Sequence, residues 1–209
     1  MFKKCLLSIV IIVAVAIAAT ACKLPTRDEM RQPDYGSSTE ADIAQNVIDD
    51  IGSLYDDIRE GVKTGSVTRA FTESQLTALI AQNIEKAADA NIGNVLINIE
   101  DDVLLMAADL PYNDETKEVV AEFTFAANGT TMAIGLGDFT WGGLQASIIP
   151  AVKSQFEEQL NNGLQAATGD STITMSSILV PEGATVDSIV LVQGQMTITG
   201  TVDWEVLSE

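Results

Sequence analysis

Hydrophobic and polar positions change rhythm several times along this chain, and each rhythm predicts an element. Residues 6–17 are almost purely aliphatic, whereas 23–38 are polar, carry Pro25 and Pro33 and show no apolar period. The second stretch reads as a flexible tether, with the tether region drawn at 22–38. From Thr39 the pattern becomes Ile43, Val47, Ile48, Ile51, Leu54, Tyr55 and Ile58, with acids on the other face. That spacing predicts an amphipathic helix within 39–65, ending near Gly61 or Gly65. A second helix is predicted over 73–89, where Leu76, Leu79, Ile80, Ile84 and Ala87 form one stripe. Thr72 and Gln75 supply a capping box for it, and Phe71 with Leu76 a hydrophobic staple.

Beyond residue 94 the period shortens to two. Strands are predicted at 95–99 and 103–110 around the acidic turn Glu100-Asp101-Asp102, and at 119–127 and 130–139 around Asn128-Gly129, a dipeptide suited to a type I′ hairpin. Val119, Ala121, Phe123 and Phe125 share one face of the first arm; Met132, Ile134 and Leu136 share one face of the return arm, with Gly135 and Gly137 between them. Glycines at that spacing let a sheet bend or another backbone approach. A third helix follows Pro150, with Ile148, Val152, Phe156, Leu160 and Leu164 recurring every four residues, and strands follow at 172–180 and 188–202. On the last strand Val190, Val192, Met196, Ile198 and Val202 are expected on one face. Helices in separate blocks among hairpins argue an α+β fold with an antiparallel sheet.

The start of the chain changes the picture. Lys3 and Lys4 precede the apolar run and the small residues 18–21 follow it, the three-part layout of a signal peptide at 1–21. Ala19-Thr20-Ala21-Cys22 resembles the lipobox of bacterial lipoproteins, in which the cysteine is lipidated and becomes the first mature residue. An uncleaved N-terminal anchor and an ordinary secreted protein are the alternatives. On the lipoprotein reading Cys5 leaves with the signal and Cys22 carries acyl chains, so the mature domain has neither a free thiol nor a disulfide. The location implied is a bacterial cell envelope, lipid-anchored on the extracytoplasmic side.

Charge and missing residue types narrow the chemistry. Cleavage before Cys22 leaves 188 residues, and because it removes two lysines and no acid the formal charge deepens from −19 to −21. Such a surface repels phosphates, which argues against nucleic acid as a partner and leaves the lipid as the membrane anchor. The acidic clusters lack the spacing of a calcium loop, and no metal or cofactor site is read from them. With no histidine in the chain and no free thiol in the mature domain, Ser-His-Asp and thiol chemistry are absent; Lys153 and Ser154 are helix neighbours that point apart. Carboxylate pairs abound, but two tryptophans and three tyrosines offer few platforms for sugars. The expectation is a protein that is not an enzyme.

A family resemblance adds to this. "FTESQLTALI" at 71–80 looks like the "FTEEELNxLL" opening of small bacterial envelope proteins with TULIP-like (YceB/YpmS-like) lipid-binding domains, and "GGLQASIIP" at 142–150 is similar to their "GxLxxxxxP" stretch. Thr77 departs from the asparagine usual in that family. The resemblance implies a domain over 66–209 in which long helices pack on a strongly curved antiparallel β-sheet, and non-catalytic binding of a lipid or other hydrophobic ligand. The expected groove wall comprises Leu76, Leu79 and Ile80 from the 73–89 helix, Phe123, Phe125, Met132 and Ile134 from the central hairpin, and Phe156 and Leu160 from the helix after Pro150. The competing expectation is a structural or scaffold lipoprotein with a closed core that binds other envelope proteins. Groove lining and core filling use the same residue types, so periodicity alone does not separate the two.

Overall fold

A computed structural model describes residues 24–60, 65–86, 93–112, 115–145, 153–154, 157–158, 160–162, 165, 172–180 and 182–203. Helix α1 spans Glu40–Arg59 and begins where a reciprocal cap satisfies its first turn. The Asp42 amide donates to Thr39 Oγ1 at 3.2 Å, and the Thr39 amide donates to the Asp42 carboxylate at 3.0 Å. Strand β1, Gly65–Thr72, leads directly into helix α2, Glu73–Lys86. The expected capping box is formed there: the Gln75 amide donates to Thr72 Oγ1 at 3.3 Å, and the Thr72 amide donates to Gln75 Oε1 at 2.9 Å. Helices α1 and α2 pack on each other, and Ala44, Val47 and Ala78 are buried.

The remaining strands are β2 (Gly93–Ile99), β3 (Leu104–Tyr112), β4 (Glu115–Asn128), β5 (Thr131–Trp141), β6 (Leu144–Gln145), β7 (Ile178–Leu179), β8 (Ala184–Val192) and β9 (Gln195–Val202). They form two antiparallel sheets. One has the order β1-β9-β8; the other runs β2-β3-β4-β5-β6, with β7 also paired to β5. The inner faces of the two sheets enclose the main core of Ile97, Ile99, Leu104, Val119, Ala121, Phe123, Phe139, Met175, Leu191 and Met196, with Leu76 of α2 joining it. A bulge between Ala121 and Phe123 lets both Phe139 and Leu136, three residues apart on β5, belong to that inner face. Gly135 and Gly137 lie beside the side chains of Thr124 and Glu122, so a neighbouring strand's side chains occupy the space a Cβ would need.

Two turns stitch the sheets together. Gly129 of the β4–β5 turn exchanges backbone hydrogen bonds of 3.1 and 2.8 Å with Val186 of β8, and at the other end of β8 the Gly194 amide donates to the Ile99 carbonyl at 2.9 Å. Gly200 has no room for a side chain, because a Cβ there would collide with the Thr185 carbonyl oxygen.

The expected α+β fold class, with long helices on a strongly curved sheet, is corrected. Strands predominate, in two antiparallel sheets, and the described helices do not form a long layer over a curved sheet. The physical reason lies in two segments. Residues 188–202 are not one strand: Gly194, at φ +83°, turns the chain between β8 and β9, so Leu191 and Met196 point inward while Val190 and Val192 point outward, 49 and 47% exposed. Gly65 and the first seven residues of the expected 66–209 domain then supply β1, which pairs along β9 and completes a second sheet. Residues 172–180 are likewise mostly turns, with strand only at β7. The 128–131 hairpin forms as expected, but its turn residues are Gly129 and Thr130, with positive φ at Gly129 alone, so it is not type I′.

The flexible tether is corrected as well. Residues 24–33 lie as a strap across the outer face of β2, β3 and β4, where Leu24 and Met30 pack on Leu96, Leu105, Ala107 and Val120. The strap's short 3-10 turn, Arg27–Glu29, is fastened by Arg27 to Asp109 at 2.8 Å. Arg31 binds both oxygens of Glu73 and reaches Glu100 at 2.8 Å. Asn98, 3% exposed, accepts from the Arg31 amide at 2.7 Å and donates to the Arg31 carbonyl at 2.9 Å, the pairing an additional strand would make.

Candidate functional site

The expected groove wall divides into two groups. Leu76 and Phe123 are buried in the packed core, whereas Ile80, Phe125, Ile134 and Leu160 press against that core and are only partly buried. Their positions follow from local structure. β4 and β5 alternate, so Phe125 faces Ile134 directly across the ladder, and Met132 two residues on pairs with Ile178 of β7. α2 turns Leu76 and Ile80 to the same side, four residues apart. Leu79 is partly buried on the same helix. Phe156 and Cys22 lie outside the described residues.

Helical residues within 153–165 close this margin on the β5 side. Lys153 Nζ donates to the Leu136 carbonyl at 3.2 Å, Asn161 Oδ1 accepts from the Met175 amide at 2.7 Å, and Gln165 Nε2 donates to the Ile173 carbonyl at 3.0 Å. The Ile134 amide in turn donates to the Met175 carbonyl at 2.6 Å. Three polar side chains therefore hold helical residues and the 173–175 turn against β5, beside the partly buried Ile134 and Leu160. With its amine on a backbone carbonyl and Ser154 exposed, Lys153 is arranged as a structural tie and not as a base for serine.

A second concavity is of different character. Beneath the strap lies a cavity of about 430 Å³ lined by Arg27, Gln32, Pro33, Glu40, Thr77, Ala81 and residues 93–96. Thr77 is 1% exposed, and its Oγ1 accepts from the Ile97 amide at 3.0 Å. Asn94, held at φ +48°, donates from its side chain to Asp109, the carboxylate that also pairs with Arg27. At the mouth the Tyr35 hydroxyl donates to Glu40 at 3.0 Å, and burial, reinforced by that bond, raises the phenol well above its ordinary value. Mixed donors and acceptors suit water or a small polar molecule, not an acyl chain. Sequence reading missed this region because its outer wall, Arg27, Gln32 and Pro33, sits in a stretch without periodicity. The one available signal was a pair of arginines four apart in a chain with only 11 basic residues.

Among the described residues no group of three or more carboxylates or other ligating side chains converges on a metal position, and no helix is long and apolar enough to cross a membrane. No family model matches the chain, and neither the curated proteins nor the solved structures contain a match. The TULIP-like resemblance consequently stands on its two short motifs.

Proposed function

We propose that this chain is a bacterial envelope lipoprotein, anchored through Cys22, whose domain holds a lipid or other hydrophobic ligand without catalysis along the margin of the inter-sheet core. The supporting observation is that Ile80, Phe125, Ile134 and Leu160 face inward yet stay partly exposed. Water-exposed apolar surface of this kind gains about 25 cal/mol per Å² when an acyl chain covers it. On this reading the occupant lies in a seam among these four side chains, next to which Lys153 and Asn161 tie helical residues to β5 and to the 173–175 turn.

The test is mass spectrometry of organic extracts from the domain purified without detergent from a bacterial host. A stoichiometric lipid or fatty acid is expected, and it should be lost in a folded Ile134→Trp/Leu160→Trp variant that fills the seam. Clean extracts from the well-folded wild type would remove the lipid reading. A scaffold role, binding another envelope protein with a closed core, is favoured by a different observation. Leu76 and Phe123 are only 9 and 7% exposed, and Val190 and Val192 offer an outward apolar pair on β8.

A further inference from the structure

The docked strap fixes how an anchored molecule must sit. Arg31 is bonded to Asn98 and to the Ile99 carbonyl; four residues earlier, Arg27 is bonded to Asp109 and, through its amide, to Glu118. Asp109 and Glu118 are partners in the β3–β4 ladder, three residues from its closing pair, Tyr112 with Glu115. Read backwards, the strap therefore runs toward the β3–β4 turn, and Leu24 is already packed on the sheet. Cys22 is two positions before Leu24, a reach of at most about 7 Å.

The same end of the sheet carries an exposed apolar turn. Gly142 and Gly143, both at positive φ, turn β5 into β6; the Gly142 amide donates to the Glu118 carbonyl at 2.8 Å, which sets this turn at the level of Arg27. Leu144, paired with Trp141, is 75% exposed, the largest exposure of any large hydrophobic among the described residues. At this end Asp109 is paired with Arg27 and Glu115 with Lys117, while Asp28 of the strap turn is exposed. The opposite end presents the exposed carboxylates of Asp101 and Asp102. At a separation of about one Debye length an acidic domain is driven to turn its charge-paired, apolar end to the bilayer, and a leucine beside a tryptophan is suited to the headgroup boundary.

We infer that the β5–β6 turn, with Leu144 flanking it opposite Trp141 and Lys117 beside Gly142, is a lipid-surface contact that the Cys22 anchor presses against the membrane. This inference rests on the lipoprotein reading of Cys22. The experiment uses the full chain purified from bacterial membranes and reconstituted in phosphatidylcholine vesicles containing anionic phosphatidylglycerol. Leu144→Cys or Gln193→Cys, the latter on the β8–β9 turn at the far end, provides the sole reactive thiol and is labelled with a nitrobenzoxadiazole probe. Doxyl-labelled lipid should quench position 144 at least twofold more than position 193, roughly the contrast between an interfacial and a solvated site, with a blue shift at 144 alone. Equal quenching at the two positions, on a chain whose mass shows acylated Cys22, overturns the orientation and leaves the lipoprotein reading in place. A chain whose Cys22 carries no lipid overturns both.

Discussion

The two faces of the β2–β6 sheet are buried by different means. The inner face is covered by a second sheet and by α2, and it gathers Phe139, Ile97, Ile99 and Val119 at 0 or 1% exposure. The outer face is covered by ten residues of chain with two apolar side chains, Leu24 and Met30, over a patch of Leu96, Leu105, Ala107 and Val120. One cover is continuous packing; the other is a small apolar contact locked by Asn98 and two arginines. Val119, Val120 and Ala121 are all buried in succession because β4 serves both faces. The inner face should therefore set global stability, and the outer face should open locally at lower free energy.

Breaking the inner face should have the largest effect. Phe139→Ala, at a site with 0% exposure, should cost about 3–5 kcal/mol of unfolding free energy, read from urea denaturation. A loss no greater than that of an outer-face truncation would erase the distinction. Met30→Ala should cost about 2 kcal/mol, the low end for such a truncation, because the strap can shift to fill the gap. Hydrogen exchange should show the Arg31 amide losing protection in that variant while the Ile99 and Phe139 amides keep theirs. Thr72→Ala removes one side of the α2 capping box and should cost about 1 kcal/mol, expressed globally because α2 belongs to the inner core.

The smallest effect is a pH dependence confined to the outer side. Burial, and then the bond to Glu40, raises the Tyr35 phenol above its ordinary 10.0, so the neutral form is favoured in the folded state. Its contribution is complete below pH 10 and is lost as pH rises through the folded value. Urea midpoints should fall above pH 10, and Tyr35→Phe should flatten that fall. Asp42 behaves oppositely: the Thr39 amide and hydroxyl lower it, so its contribution is present above the ordinary carboxylate value and lost in acid.

What was legible in the chain follows the same division. α2 and its cap, the 93–112 and 115–141 hairpins and the inward alternation of Val119, Ala121, Phe123 and Phe125 could be read because each is a local period with a local punctuation mark. The fold class could not, because it turned on Gly194. Read through as one strand, residues 188–202 place Val190 and Met196 together; broken at that glycine, they place Leu191 and Met196 together and yield a second sheet. The strap was illegible for another reason. Its partners stand 42 to 91 residues away, and no local rhythm announces an arginine that will meet a distant carboxylate. At the candidate site, Leu76, Ile80, Phe123, Phe125, Ile134 and Leu160 were recognisable as one apolar set, while the ties that organise their margin, Lys153 and Asn161, carry no sequence pattern.

The order in which the strap's contacts arise along the chain carries a kinetic consequence. Residues 24–31 leave the ribosome before their docking surface, which needs β2, β3 and β4 to have been made and paired. Contacts of such sequence separation are slow to close. The strap should therefore settle after sheet pairing has begun, and a chain threaded across a membrane N-terminus first would spend that interval with residues 24–31 undocked. During translocation the segment would have the slack of a tether, and it would lose that slack once the sheet closes beneath it.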